Sequence, residues 1–365
     1  MQFRYKKITV KVGSNVLAKV DGTLNVARIA HLVDQIAFLH KNGVEVVLVS
    51  SGAVAAGRAV LEPTRKTDAV SQRQMWAALG QVKLISRYSD FFNEHSLICA
   101  QVLTTKENFS SRGHYLNMKN CFNTLLENKV IPIVNENDTI SVTELMFTDN
   151  DELSGLIASM VNSEALIILT NVDGVYNSHP KNENAEVIRV IEFMDNEEPV
   201  GSIADHSDFG RGGMLTKFRI AQKVAGDGIG VHVANGTSEN VLINLLNAEK
   251  DFAHTYFVPN RKTSSGVKKW IGYSNGFTKG EVVINKGAVS ALYSDKAVSL
   301  LPVGIVRIAS EFKKGDLIKI VDESGKIVGV GKAGYGSEKV ETEKQSEKQK
   351  PIVHYDYLYL EHKNI

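Results

Sequence analysis

The 365-residue sequence has only two cysteines, Cys99 and Cys121. That is too few for a disulfide framework or a cysteine-rich zinc site. It also lacks a long apolar run. The stretch from Val44 to Gly57 is interrupted by Glu45, Ser50 and Ser51, and nothing approaches the roughly 18 residues that a membrane-spanning helix needs. The basic start, MQFRYKKITVKVGS, leads into no apolar core of signal-peptide length. The expected setting is therefore cytoplasmic, with no membrane partner. Charge of one sign is lacking too. Lys and Arg number 42 and Asp and Glu 41, a net of +1, so no global field draws the chain to nucleic acid or an anionic membrane. Familiar nucleotide signatures are missing: there is no GxxxxGKS/T loop, and no GxGxxG opens the first helix. HExxH, GxSxG and Cys/His clusters are also missing. Any phosphate chemistry must use another architecture.

What is present is ordinary for a globular chain: 43% hydrophobic and 23% charged residues, which excludes disordered, collagen-like and coiled-coil chains. The length suggests about two domains. Residues 1–258 alternate strand-like and helix-like patterns. The strand candidates are ITVKV (8–12), VEVVLV (44–49), LICAQVL (97–103), VIPIV (130–134), ALIILT (165–170) and IGVHVA (229–234). Between them lie helical stretches, among them one capped by Asn25, a long one from Ser71 to about Asn93, and one over Met214–Ala225. This order predicts an α/β fold, a mostly parallel sheet sandwiched by helices. After Pro259 the pattern changes. Residues 259–276 read as a polar linker. Residues 277–361 hold short β-rich segments between Gly-containing turns, as in a small β-barrel. Within them, 338–350 mixes Glu and Lys with one apolar residue, Val340, and reads as a solvated helix or loop.

Four places can carry chemistry. Strand alternation sets Ile8, Val10 and Val12 on one face and Lys11 on the other. A lysine inside a covered strand needs a partner for its ammonium, unless the strand is at an edge and the lysine reaches solvent. The Gly13–Ser14–Asn15 turn that follows offers backbone N–H groups to an anion. SSGA (50–53) ends VEVVLV, at the strand end where open α/β sheets bind ligands, although many strand-to-helix turns contain Ser and Gly. NEND (135–138) and TDND (148–151) are each explained as turns or helix caps. Together they bring amides and carboxylates to one strand end and the mouth of the next helix, where they can hold an ammonium or orient a lysine. The spacing does not fit a calcium-binding EF-hand loop. Finally, GRGGMLTK (210–217) places consecutive glycines just before a helix and Lys217 one turn later. That suits a phosphate cradle or a plain surface loop.

Taken in order, KVGSNVL (11–17), VVLVSSGAVAAGR (46–58), AALGQ (77–81), PIVNEND (132–138), DND (149–151), LTNVDGVY (169–176) and GGMLTK (212–217) resemble the amino-acid kinase family. Within it they resemble the branch that phosphorylates the side-chain carboxylate of L-glutamate, the first step of proline biosynthesis. The segments WIGYSNGFTKGEVVINKGA, SLLPVGI and FKKGDLIKI resemble the PUA domain that many bacterial members of that branch carry. The resemblance covers nearly the whole chain. It implies ATP as donor, with Mg²⁺ held mainly by phosphates and water. It implies a two-lysine charge clamp of Lys11 and Lys217 on the phosphoryl group, with Asp151 holding the lysines and the Gly13 and Gly52 turns offering N–H groups. Ser51, Gly52, Asp138 and Asn150 match glutamate-binding positions. Lys11, Thr170, Asn171 and the loop Arg211, Gly212, Gly213, Met214, Leu215, Thr216, Lys217 match nucleotide-binding ones. Two positions depart: Asn171 stands where the family commonly has Asp, and Arg211 where Thr commonly precedes the glycines. The resemblance further implies a homo-oligomer, proline as a candidate feedback inhibitor, and γ-glutamyl phosphate reductase as a partner that consumes the unstable acyl phosphate.

Related kinases of the same fold act on aspartate, N-acetylglutamate, carbamate or UMP, and NEND, GGMLTK and the PUA-like tail favour glutamate among these. A different class, RNA binding, is suggested by the PUA-like part. Residues 277–365 hold fourteen Lys and Arg against twelve Asp and Glu, mostly interleaved, whereas an RNA footprint needs a clustered basic face. RNA is therefore not expected as the main partner.

Overall fold

The structure, a computed structural model, describes residues 2–62, 67–140, 150–178, 182, 184–193, 213–261, 265–294 and 297–361. The chain divides near residue 264 into two units. In the first, strands β1 (Lys7–Val12), β2 (Glu45–Ser50), β3 (Cys99–Thr104), β4 (Ile131–Glu136), β5 (Ala165–Thr170), β6 (Val190–Ile191), β7 (Gly230–Asn235) and β8 (Thr255–Phe257) form one sheet in the order β3-β4-β2-β1-β5-β7-β8-β6. Its pairings are parallel apart from β7 with β8. The helices are α1 (Ser14–Leu17), α2 (Val26–Lys41), α3 (Ala53–Arg58), α4 (Ala69–Glu94), α5 (Arg112–Glu127), α6 (Asn150–Val161), α7 (Gly213–Gly226) and α8 (Val241–Leu246). Asn25 caps α2 by accepting from the Arg28 N–H, and Asp68 caps α4 by accepting from Val70 and Ser71. Each cap satisfies N–H groups that the first turn leaves without a partner.

Two apolar layers cover the sheet. On one face Ile8, Val10 and Val12 pack with Ile29, Val33 and Ile36 of α2 and with Leu84 and Tyr88 of α4. On the other, Leu166 and Ile168 pack with Ala158 of α6 and with Phe218, Ala221 and Val224 of α7. Each fully buried Val, Leu or Ile contributes about 1.5–3 kcal/mol relative to leaving it in water. A one-residue slip of β1 would exchange three of them for Thr9 and Lys11, so its register is strongly specified. Thr9 and Lys11 therefore face α6 and α7, and Thr9 Oγ1 lies 2.8 Å from Ser163 Oγ just past α6. β1 is bracketed by β2 and β5, with Lys11 opposite Val49 and Ile168. That excludes an edge-strand lysine reaching solvent. The chain also reverses its direction of sheet building between β1 and β5, the kind of switch point at which open α/β sheets bind ligands.

Helices α3 and α4 approach unusually closely. A Cβ on Gly57 would lie 1.8 Å from the Trp76 carbonyl oxygen, and one on Gly80 would lie 1.7 Å from that of Ala53. Only glycine allows this contact, which fixes α3 against the helix beside it.

In the second unit α9 (Gly266–Tyr273), β9 (Gly280–Ile284), α10 (Lys286–Leu292), β10 (Ile305–Ser310), β11 (Leu317–Asp322), β12 (Ile327–Ala333), α11 (Val340–Lys344) and β13 (Val353–Leu360) surround a core that includes Val282, Ile284, Ile318, Ile320 and Ile352. The sheet order is β10-β9-β11-β12-β13, antiparallel apart from the β9–β11 pair. An isolated bridge from Leu300, just before β10, to Val353 curls the sheet on itself. Helix α9 lies inside the segment expected as a linker. Ser265 caps it, Trp270 and Ile271 are buried, and Gly272 sits where a Cβ would come within 2.6 Å of the Tyr359 ring. Its polar flanks hide a short amphipathic turn. Across 338–350, Val340 is fully buried while its neighbours are largely solvated. Among the described residues no helix is long and apolar enough to cross a membrane.

Gly80→Ala is expected to destabilise the fold by about 1–3 kcal/mol through overpacking against α3, read as a lower urea midpoint. An unchanged midpoint would contradict the close α3–α4 contact.

Candidate active site

Five parallel strands end together at one edge of the first unit's sheet. At or within one residue of their ends stand Lys11, Ser51, Asn135, Thr170 and Asn235. Lys11 points from the central strand toward α6, where Asp151 occupies the first turn. Lys217 reaches the same carboxylate from the first turns of α7. The Lys11 ammonium lies 2.5 Å from Asp151 Oδ1, and the Lys217 ammonium 2.9 Å from Oδ2. Asp151 is fully buried and Lys11 nearly so. Burial alone would push the Asp151 carboxyl up, but the adjacent Lys11 and Lys217 charges outweigh it and hold it below the ordinary Asp value. The α6 N-terminus also favours a negative charge in its first turn.

Asn150, next to Asp151, faces the other way. Its side-chain amide donates to the Ser50 carbonyl at 3.2 Å, to Ser51 Oγ at 3.0 Å and to Asn135 Oδ1 at 3.0 Å. One residue thus ties the end of β2 to the end of β4. Asn135 is held in turn by Gln81 of α4, whose Oε1 accepts from it at 2.8 Å. Ser50 Oγ lies 3.0 Å from the Tyr88 hydroxyl, deep under α4, and burial pushes that phenol up to about 12. Gly52 adopts φ 102°, a left-handed conformation that favours glycine. Together Ser14, Ser51, Gly52, Asp138 and Asn150 line a cavity of about 630 Å³, which α3 and α4 close with Arg58, Arg73 and Trp76.

Within the Gly13 turn, the Gly13 N–H donates to the Leu169 carbonyl at 3.2 Å, extending the β1–β5 ladder. The N–H groups that open α1 belong to Ser14 and Asn15, and the first N–H groups of a helix have no partner within it.

On the β5 side of the switch point, Thr170 Oγ1 donates to Asn171 Oδ1 at 3.3 Å. Asn235 donates to Asp173 Oδ1 at 2.9 Å and accepts from both the N–H and the hydroxyl of Thr237. Gly236 lies against Leu169 and Val16, where a Cβ would come within 2.9 Å of each. Met214, Leu215 and Thr216 lie in the first turn of α7, beside this edge. Arg211, Gly212 and the first two residues of TDND lie outside the described residues, as does the side-chain setting of Gly213.

The structure therefore brings Lys11, Lys217 and Asp151 into one contact and groups Ser51, Gly52, Asp138 and Asn150 around one cavity. Arg58, Arg73, Trp76 and Asn235 belong to the same edge and were not singled out from sequence. Arg73 donates to Asp138 Oδ1 from Nε at 3.2 Å and from a terminal nitrogen at 2.9 Å. The residues are 65 apart in sequence, and no local pattern announces the contact.

The amino acid kinase family model matches residues 6–235, and the PUA domain model matches 280–354. A glutamate 5-kinase of Bacteroides thetaiotaomicron is 56% identical over 361 residues, covering 99% of this chain and all of that one. A glutamate 5-kinase of Chlorobaculum tepidum is 46% identical over 357 residues, 98% of each chain.

Asp151→Asn takes its counter-charge from the buried Lys11 ammonium and weakens the hold on the partly exposed Lys217, and is expected to cost about 3–5 kcal/mol at neutral pH. The Asp151 carboxyl is held below its ordinary value of 3.8 in the folded chain. Its contribution is thus complete above that value and is lost as pH falls through the lower folded value. Urea unfolding at a series of pH values should show the wild-type advantage constant from neutrality to about pH 5 and narrowing only below about pH 4. An advantage that fades near neutrality would contradict the shift.

Proposed function

The chain belongs to the amino acid kinase family, among its glutamate 5-kinases, and from that premise we propose how the site performs the reaction. The reaction is ATP-dependent phosphorylation of the side-chain carboxylate of L-glutamate to L-glutamyl 5-phosphate, the first step of proline biosynthesis. The observation that carries the mechanism is the Lys11–Asp151–Lys217 contact at the switch point, beside the cavity that Asn150 and Ser51 line.

A carboxylate is already an anionic nucleophile, so no general base is required. Catalysis then rests on positioning and on neutralising charge at the transferring phosphoryl group. Lys11 and Lys217 approach that group from β1 and from α7. Asp151 does not touch the phosphate; it keeps both ammonium groups in place, so that no reorganisation is needed as charge moves. Ser14 and Asn15, rather than Gly13, offer backbone N–H groups at the phosphate, and Gly52 lets the chain come close on the other side. Ser51 and Asn150 orient the γ-carboxylate, and Asp138 receives the substrate ammonium. Thr170, Asn171 and the start of α7, Met214 to Lys217, border the nucleotide, and Arg211, Gly212 and Gly213 are assigned to it as well. Mg²⁺ bound to ATP would be held mainly by phosphate oxygens and water and would help neutralise charge on the phosphates. The amide and ammonium donors at this edge fit phosphate, and among the described residues no acidic or imidazole cluster suits a resident metal.

We propose a catalytic domain over 1–258, a linker over 259–276 and a PUA-like domain over 277–361; helix α9, inside that linker, groups with the second unit. A homo-oligomer, proline as feedback inhibitor, a reductase that consumes the acyl phosphate and a cytoplasmic setting complete the reading.

Hydroxylamine trapping with MgATP should give hydroxamate with L-glutamate and not with L-aspartate or N-acetyl-L-glutamate. Hydroxamate from another acid alone would overturn the substrate. Lys217→Ala removes one preorganised donor and should cut turnover on the order of 100- to 1000-fold. Near-normal turnover in the folded variant would remove Lys217 from the clamp.

A further inference from the structure

Two guanidinium groups line the cavity, and each is already engaged. Arg58 lies over the Trp76 ring, 4.7 Å from its centroid, and the Trp76 indole N–H donates to the Leu61 carbonyl. Arg73, on the second turn of α4, holds Asp138. Both of its bonds end on the same oxygen, Oδ1. They do not make the two-oxygen fork that gives arginine its strongest carboxylate pairs. Asp138 is buried, whereas the Arg73 side chain is 49% exposed. The carboxylate stands two residues past β4, and the arginine is the more exposed member. The backbone around it is secured separately, because Gln74 donates to the Thr139 carbonyl at 2.9 Å.

This inference rests on the glutamate reading above and asks what holds the other end of that substrate. An α-amino acid carries its ammonium and its α-carboxylate on one carbon. If Asp138 takes the ammonium, the α-carboxylate arrives beside the group that now occupies Asp138. A carboxylate taken out of water without a partner is costly. A planar fork of N–H donors is the side chain best matched to it. We propose that Arg73 binds the α-carboxylate of the substrate while Asp138 binds its ammonium, so that the Arg73–Asp138 pair stands in for a bound amino acid when the cavity is free. Binding replaces one single-oxygen ion pair with two complementary ones. Recognition is then for acidic α-amino acids with both groups free.

The test uses the full chain as wild type, Arg73→Met and Arg73→Lys, with hydroxylamine trapping in MgATP. The substrates are L-glutamate and its α-amide, which keeps the γ-carboxylate and the ammonium but has no α-carboxylate. Wild type should prefer glutamate by about 10- to 100-fold in kcat/KM, the worth of one charge-assisted contact. Arg73→Met should lose that factor on glutamate through KM, with kcat little changed, and lose nothing on the α-amide, so the preference collapses toward one. Arg73→Lys keeps the charge without the fork and should fall between, and it serves where Arg73→Met does not fold. A lower KM for glutamate in Arg73→Met would show that Arg73 only competes with substrate for Asp138, and would overturn the proposal. So would an equal loss on both compounds, which marks a structural role. Wild type inactive on glutamate would overturn the kinase reading itself, and the proposal with it.

Discussion

One buried carboxylate shared by two ammonium groups is the constraint on which the rest of the site depends. Neither Lys11 nor Lys217 sits where a cation is cheap. Lys11 is on the central strand of a sheet covered on both faces, and Lys217 emerges from a helix whose inner side packs on that sheet. Asp151 makes both placements tolerable, and they make its ionised form tolerable in return. As ions the three residues carry one net positive charge. In the proposed mechanism an arriving phosphate continues a charge pattern that the protein has already assembled, and ordering two long side chains is completed on folding rather than at the moment of reaction.

The sheet distributes the remaining tasks around that centre. β2 and β4 end on the cavity lined by Ser51 and Asp138, and β5 and β7 end on the side of Thr170 and Asn235. Asn150 and Asp151 are adjacent on α6 yet serve opposite sides, one bracing the strand ends around the cavity and the other bracing the lysines. A shift of α6 would therefore disturb both together. The cavity's outer wall depends on packing elsewhere: Gly57 and Gly80 allow α3 and α4 to touch backbone to backbone, which brings Arg58 and Arg73 to bear on the same space.

Much of this was legible in the sequence because period and order carry it. Alternation in ITVKV separates Lys11 from Val10 and Val12, and the sheet places it on the expected face. The strands VEVVLV, VIPIV and ALIILT appear within a residue or two of expectation. NEND, DND and GGMLTK are local strings, so their residues could be named before their partners were known. What could not be read is what depends on distance in space. Gly13 belongs to a turn that looks open in sequence, but its N–H is spent on Leu169, 156 residues away. Arg73 is one polar residue among several on a long helix, and only the packing of α4 beside β4 brings it to Asp138. Helix α9 was hidden by polar neighbours, and its reason to form is burial of Trp270 and Ile271.

The central claim is that Asp151 acts through the lysines rather than on the substrate. The direct measurement is a double-mutant cycle on single-turnover phosphoryl transfer, using Asp151→Asn, Lys217→Ala and the pair combined. If Asp151 works by holding Lys217, the combined loss falls far short of the product of the single losses, because groups acting as one unit are not additive. A combined loss equal to that product would mean that Asp151 and Lys217 act independently and would contradict the account.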